Sequence, residues 1–205
     1  MTFLALLVMI DKTFAEVSLM TTFTYPIDDR LSLAFPQLNA AEKLFSLIES
    51  DRPHIEAFIA DIAETKTLEA EKNFVKMKLH GYAEGTDYLF FIVYDKMICG
   101  CIDIHNIDQK IGKGEIGYWL HSSYTKRGIV TKCVQALCSL AFKDFGLNKL
   151  LIFVDVENAP SNRVAQKAGF TLTSTEPQDA LLFCKLRDMN HYTLLKEHYK
   201  KGSDE

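Results

Sequence analysis

The chain has 205 residues, 48% of them hydrophobic and 24% charged, with a formal net charge of −4. A chain of that size and apolar content folds as one globular domain around its own core, which excludes low-complexity disorder, collagen-like repeats and a membrane bundle. The acidic balance argues against a nucleic-acid-binding body, because phosphate neutralisation needs a clustered basic excess.

Thr2–Ile10 is an apolar run far short of the roughly 18 to 20 residues that span a bilayer, and no Lys or Arg precedes it as in a secretory leader. Residues 1–22 therefore read as an N-terminal extension, 23–197 as the domain and 198–205 as a polar tail. Leu31–Phe35 alternates as a first strand would. Asn39 with Glu42 forms a capping-box pattern for a helix over Ala40–Ile48 that buries Leu44, Phe45 and Ile48. Pro53 opens a second helix carrying Ile55, Phe58, Ile59 and Ile62. Thr67 caps a third, with Ala70, Phe74 and Met77 inward and Gly81 as its stop.

The period then changes. Tyr88–Tyr94 and Met97–His105 read as a hairpin turning at Asp95-Lys96, and Glu115–His121 as the next strand. Ile129–Phe145 is a long helix stopped by Gly146, with a polar stripe of Thr131, Lys132, Gln135, Ser139 and Lys143. Leu150–Val154 is a continuous apolar run, as expected of a strand buried on both faces. A short helix over Ser161–Ala168 and strands over Ala180–Leu186 and Asn190–Lys196 complete a mixed α/β domain.

The five cysteines (Cys99, Cys101, Cys133, Cys138, Cys184) sit among apolar neighbours and read as buried thiols of a reducing compartment, hence a cytoplasmic protein. Cys99-Gly100-Cys101 lacks metal spacing, and so do the histidines, so no metal site is expected. His121 ends a strand and is a minor candidate for a base. Gly112-Lys113-Gly114-Glu115-Ile116-Gly117 spells the dinucleotide fingerprint but runs into a strand instead of a helix, the wrong context for it.

The informative window runs from Glu115 to Phe170. A strand enters a loop, Thr125-Lys126-Arg127-Gly128, that opens a long helix; free backbone N–H groups and the positive helix end there suit a pyrophosphate, and Lys126, Arg127 and Lys132 add cations. Glu115-Ile116-Gly117-Tyr118-Trp119-Leu120, the Gly128 loop, and Asn158-x-x-Ser161-Asn162 ahead of Ala168-Gly169-Phe170 together resemble the GNAT N-acetyltransferase superfamily, in particular its RimJ/RimL ribosomal-protein branch. The resemblance covers about residues 24–196.

It implies a single GNAT-type domain: a twisted, mostly antiparallel sheet of about six or seven strands with a splayed parallel pair, flanked by about five helices. It implies acetyl-CoA as acyl donor, with no metal, and direct attack of a primary amine in a ternary complex. Carried onto this sequence, Lys126, Arg127, Gly128, Ile129, Val130 and Thr131 hold the pyrophosphate, while Thr125 and Val130 depart from the long polar and small residues usual there. Trp119 and Leu120 offer main-chain groups to the pantetheine arm, Asn158 contacts the cofactor and Ser161 protonates the departing thiolate. Glu115 matches a strand glutamate that serves as general base through water. Asn158 also has a plain reading as a helix cap, with Ser161 in the first turn.

An α-amino group near pKa 8 is roughly 10% neutral at pH 7, far more than a lysine amine near 10.4, so an N-terminal acceptor needs only modest help. The acceptor implied is a protein N-terminus, with a small-molecule amine as the alternative, in a monomer or homodimer without nucleic-acid or membrane partners. Acceptor specificity falls by resemblance on residues 40–63 and on a loop over Ser174–Asp179. A non-catalytic acyl-CoA-binding module on the same fold stays open because of Thr125 and Val130. The net charge is unevenly spread: residues 113–169 hold eight Lys and Arg against four Asp and Glu, leaving an acidic remainder suited to a cationic amine.

Overall fold

The computed structural model describes residues 23–59, 62 and 65–199. The expected extension therefore lies wholly outside the described residues, as does most of the tail. One eight-stranded sheet runs through the molecule in the order β1-β2-β3-β4-β5-β6-β8-β7. Its strands are β1 (Thr24–Pro26), β2 (Leu31–Ala34), β3 (Tyr88–Tyr94), β4 (Met97–Asp108), β5 (Lys113–Leu120), β6 (Lys149–Asp155), β7 (Thr171–Leu182) and β8 (Lys185–Leu195). Every neighbouring pair is antiparallel except β5–β6. The strand total exceeds the expected six or seven, because a three-residue β1 pairs with β2 and is too short to show a period.

The helices are α1 (Ala41–Ser50), α2 (Arg52–Ile55), α3 (Leu68–Glu84), α4 (Ile129–Lys143) and α5 (Ala159–Lys167). They cover the two sheet faces in two groups. Against one face, α4 and α5 bury Leu137, Cys138, Ala141 and Ala165 on Ile92, Ile102, Ile104, Leu150, Ile152 and Tyr192. Against the other, α1, α2 and α3 bury Leu44, Ile48, Ile55 and Val75 on Leu89, Phe91, Cys101 and Trp119. Each fully buried Leu or Ile contributes about 1.5–3 kcal/mol relative to exposure.

Several expectations change. Asn39 does not cap α1: it lies in a 3-10 turn, Leu38–Ala40, so its backbone is already coiled where a cap must be extended, and Ala40 precedes the helix without a side-chain bond. The second helix breaks into α2 and a 3-10 turn, Glu56–Phe58, with Ile59 extended. In α3 the Thr67 cap holds, its hydroxyl accepting from the Ala70 N–H at 3.1 Å. The inward face, however, carries Glu71, Val75, Lys78 and Gly81, while Met77 is 55% exposed. Two charged residues on the buried face hid its phase from the hydrophobic pattern. Gly81 sits inside α3, where a Cβ would come 2.6 Å from the Asp87 carboxylate, and Gly85 in the left-handed region ends the helix instead.

The Asp95-Lys96 turn forms as expected, both residues at positive φ. Leu150–Val154 is covered on one face only: Leu150, Ile152 and Val154 are buried, but Phe153 is 36% exposed, because the α1–α3 layer stops short of β6. The last hairpin is longer than expected. Ser174–Asp179 belongs to β7 and is not a loop, and the turn falls at Phe183-Cys184, which leaves Cys184 exposed instead of buried. An edge strand solvated along most of its length has no alternation to read.

Candidate active site

The parallel ladder between β5 and β6 holds only at Lys113–Lys149, Gly114–Leu150 and Glu115–Leu151. Both strands run on, β5 to Leu120 and β6 to Asp155, with no further pairing between them among the described residues. The strands thus splay into a V whose edges carry main-chain groups for an extended ligand to pair with. The side chains of Trp119 and Leu120 are buried in the two cores, so at these positions the main chain is what remains for a ligand. At Gly100, opposite Leu120, an added Cβ would run into the Trp119 carbonyl.

Beyond β5 the chain makes a 3-10 turn, Ser122–Tyr124, and then the predicted loop. Lys126 and Gly128 have positive φ, and Gly128 caps α4 with no side chain in the way and nothing within 4 Å of where a Cβ would stand. The first-turn N–H groups of Ile129, Val130 and Thr131 lack intrahelical partners, as at any helix start, and form an anion cradle with the positive end of the helix dipole. Lys126 and Arg127 are exposed there. Arg127 donates to the Ser123 carbonyl at 2.9 Å and lies over the Tyr124 ring. Lys132 is less available, since its ammonium pairs with Asp28 at 2.7 Å. Ile129 is buried and Val130 packs against the core, while the Thr125 hydroxyl turns inward to the Ser122 carbonyl at 2.8 Å.

At the end of β6, Asn158 caps α5, its side-chain oxygen accepting from the Ser161 N–H at 3.2 Å. The Ser161 hydroxyl meets the Tyr118 hydroxyl at 2.7 Å. Burial pushes the Tyr118 phenol up to about 12, against the opposing pull of the Ser161 bond, so it stays protonated and can resupply Ser161. Asn162 is structural: its amide donates to the Asp155 and Asn158 carbonyls, and its oxygen accepts from Asn190 and Tyr192.

Side chains alternate along β5, so Glu115, Gly117 and Trp119 face the α1–α3 layer, opposite Tyr118 and Ser161. The Glu115 carboxylate accepts from the Asn106 amide at 2.8 Å and lies 3.9 Å from His105 Nε2. Asp103 accepts from His105 Nδ1 at 3.2 Å and from Lys78 Nζ at 2.7 Å. Burial opposes the ionised Asp103, but His105 and Lys78 outweigh it and hold its carboxyl below the usual range. Past the helical layer the open face of β6 carries Phe153, with the His191 ring 4.3 Å away and bound to Asp179 at 2.6 Å. His121 is an anchor: its Nδ1 accepts from the Ser123 N–H and its Nε2 meets the Ser50 hydroxyl at 3.2 Å.

Ser161, Asn158, Glu115 and the Gly128 loop all lie around the V or its adjoining helix ends. Sequence reasoning missed Tyr118 and the Lys78–Asp103–His105 chain. Hairpin register was the available signal, because Asp103 and His105 pair with Gly117 and Glu115 across β4–β5. Cys99, Cys101, Cys133 and Cys138 are buried, and burial raises all four thiols, Cys99 to about 12, which makes them poor nucleophiles. Among the described residues, no cluster of His, Cys, Asp and Glu could hold a metal ion, and no helix is long and apolar enough to cross a membrane.

Residues 30–171 match the family model described as an acetyltransferase (GNAT) domain. The ribosomal-protein-serine acetyltransferase of Escherichia coli (strain K12) is 28% identical over 178 residues, covering 83% of this chain and 96% of that protein. The microcin C7 self-immunity acetyltransferase MccE, solved with acetyl-CoA and AMP, is 26% identical with a TM-score of 0.78, covering 82% of this chain and 94% of the other. A RimL acetyltransferase solved with coenzyme A has a TM-score of 0.82 at 21% identity, covering 84% and 98%, and shares the fold.

Proposed function

Because the chain belongs to the GNAT acetyltransferase family and is an acetyl-CoA-dependent N-acetyltransferase, we propose that its acceptor is the α-amino group of a protein N-terminus, in the cytoplasm. The observation that carries this reading is the division of labour across the V: a hydroxyl pair, Tyr118–Ser161, on one face and a carboxylate, Glu115, on the other. The relative named for a ribosomal-protein serine supports a protein acceptor.

When bound, acetyl-CoA supplies the thioester that a neutral amine attacks directly. The residues here do the rest. The Gly128 loop and the first turn of α4 hold phosphate oxygens through backbone N–H groups, helped by Lys126 and Arg127. Asn158 fixes the first turn of α5 and so the position of Ser161, whose hydroxyl protonates the leaving sulfur while Tyr118 replenishes it. Glu115 takes a proton from the acceptor ammonium through water.

Thiol release from acetyl-CoA, measured with peptides bearing free or blocked N-termini and with polyamines, tests the reading. Free N-terminal peptides are expected to be acetylated and their blocked forms to be inert. Release with polyamines alone overturns the protein acceptor, and coenzyme A binding without release for any amine supports the non-catalytic alternative.

A further inference from the structure

An ordinary carboxylate near pKa 4.3 is a poor sink for the proton of an α-ammonium group near 8, because that transfer is uphill by roughly 5,000-fold. An imidazole at 6.5 or above reduces the penalty to about 30-fold or less. The structure holds such an imidazole directly across the strand pair from Glu115. We infer that His105 Nε2 receives, through Glu115, the proton lost by the acceptor ammonium, and that Asp103 and Lys78 hold the ring for that task. The inference rests on Glu115 as the base.

Three features of the fold build this arrangement. The β4–β5 register shifts between His105 and Asp108, with Asn106 at φ 49°. That bulge aims the Asn106 amide at Glu115 and leaves His105 opposite it, with Nε2 to Oε2 at 3.9 Å, a gap that a small side-chain adjustment closes. Gly117 leaves room beneath: a Cβ there would stand 2.9 Å from the Asp103 carboxylate and 3.1 Å from the His105 ring. Lys78, its side chain 8% exposed, bridges Asp103 at 2.7 Å and Asp87 at 2.6 Å and compensates their charge.

Asp103 accepting from Nδ1–H fixes the tautomer in which Nε2 keeps its lone pair toward Glu115. The charged groups around the ring are Asp103 on β4, Glu115 on β5 and Lys78 on α3, with Asp87 behind Lys78. Burial disfavours the imidazolium, but the Asp103 bond and the charges of Asp103 and Glu115 outweigh burial and Lys78, so the ring titrates above its ordinary value.

The proton ledger closes. The ammonium N–H bond breaks, the Glu115 carboxylate takes the proton and passes it to Nε2, and the partly exposed ring returns it to solvent. Ser161 protonates the thiolate and is replenished by Tyr118, and the second nitrogen proton, released once the C–N bond has formed, returns to Tyr118, so that the hydroxyl pair is restored. His105 acts through Glu115 and is therefore a positioning residue.

The test follows kcat/KM against pH with acetyl-CoA and a Ser-initiated peptide amide. Wild type is expected to lose activity on the acid side with an inflection above 6.5. His105→Gln should lose that inflection and about 100-fold in kcat, with the KM for acetyl-CoA unchanged. Added imidazole should restore part of the activity of His105→Ala. An unaltered profile and kcat in His105→Gln, with Glu115→Gln inactive, overturn the relay alone; an active Glu115→Gln overturns the base reading beneath it. Independently of any acceptor, the NMR titration midpoint of the His105 ring should fall in Glu115→Gln, and an unmoved midpoint refutes the coupling.

Discussion

Replacing Lys78 with methionine removes the one cation that two carboxylates share beneath the sheet. Its ammonium sits 2.6 Å from Asp87 and 2.7 Å from Asp103, and the side chains of Lys78 and Asp103 are 8% and 14% exposed. Burial disfavours the Lys78 ammonium, yet the two carboxylates outweigh it and raise its pKa, so it is charged throughout the neutral range. Methionine fills the same volume but leaves Asp103 and Asp87 facing each other. Breaking one side of a buried ion pair costs about 3–5 kcal/mol. For a chain of this length, where each kcal/mol shifts Tm by about 2–4 °C, that is roughly 6–20 °C. The sign of the pH dependence follows from Asp103, whose pKa is depressed in the fold and would rise without Lys78. Its contribution to stability is present above the unfolded value of about 3.9 and is lost as pH falls through the folded value. The deficit of Lys78→Met should therefore be full at pH 7 and shrink as the pH approaches 4. Urea unfolding of both proteins at the two pH values measures it. A deficit below about 1 kcal/mol at pH 7 would mean that the pair behaves as a solvated surface bridge, and the argument from burial would fail.

Ser161→Ala should lower turnover by about 10²-fold while coenzyme A binding, followed by thermal shift, changes little, and Tyr118→Phe should show a smaller loss of the same kind; equal losses in binding and turnover would refute the assigned role. Native-state alkylation at pH 8, read by mass spectrometry, should label Cys184 and spare Cys99, Cys101, Cys133 and Cys138 until the chain unfolds. Leu137→Ala, at a side chain with no exposure in the core under α4, should cost about 2–5 kcal/mol in urea unfolding without altering the KM for acetyl-CoA.

The part of the proposed site assigned to the acyl donor was legible as geometry because its elements are local. A glycine opening a helix, an Asn–x–x–Ser capping pattern and a strand before each are contiguous in sequence, and backbone N–H groups need no distant partner. The acceptor half was not, because it is assembled across β4, β5 and α3. Asp103 and His105 look like two polar residues in an apolar strand until register places them against Glu115 and Gly117. Lys78 and Glu71 interrupt the apolar pattern of α3, so the spacing points Ala70, Phe74 and Met77 inward where the buried face runs through Val75 and Gly81. The length of β7 was hidden for the opposite reason: it is solvated along most of its run, so burial imposes no pattern on it.

The uneven charge of the chain acquires a spatial meaning in this fold. Lys126 and Arg127 stay exposed at the start of α4, where phosphate would lie, while Lys132 is already matched by Asp28. The basic excess available to the donor is thus narrower than the count suggests, and the backbone cradle around Gly128 must carry more of the phosphate binding. On the other face the partnered acids Glu115, Asp103 and Asp179 border the V or its open flank, each tied to a histidine by a contact or ion pair. Carboxylates that attract an ammonium group also hold its proton, which opposes attack. The proposed relay resolves the conflict at Glu115, because the proton can move on to His105, whose pKa the Asp103 bond and the neighbouring carboxylates raise against burial, while the carboxylates keep the charge that draws the amine in.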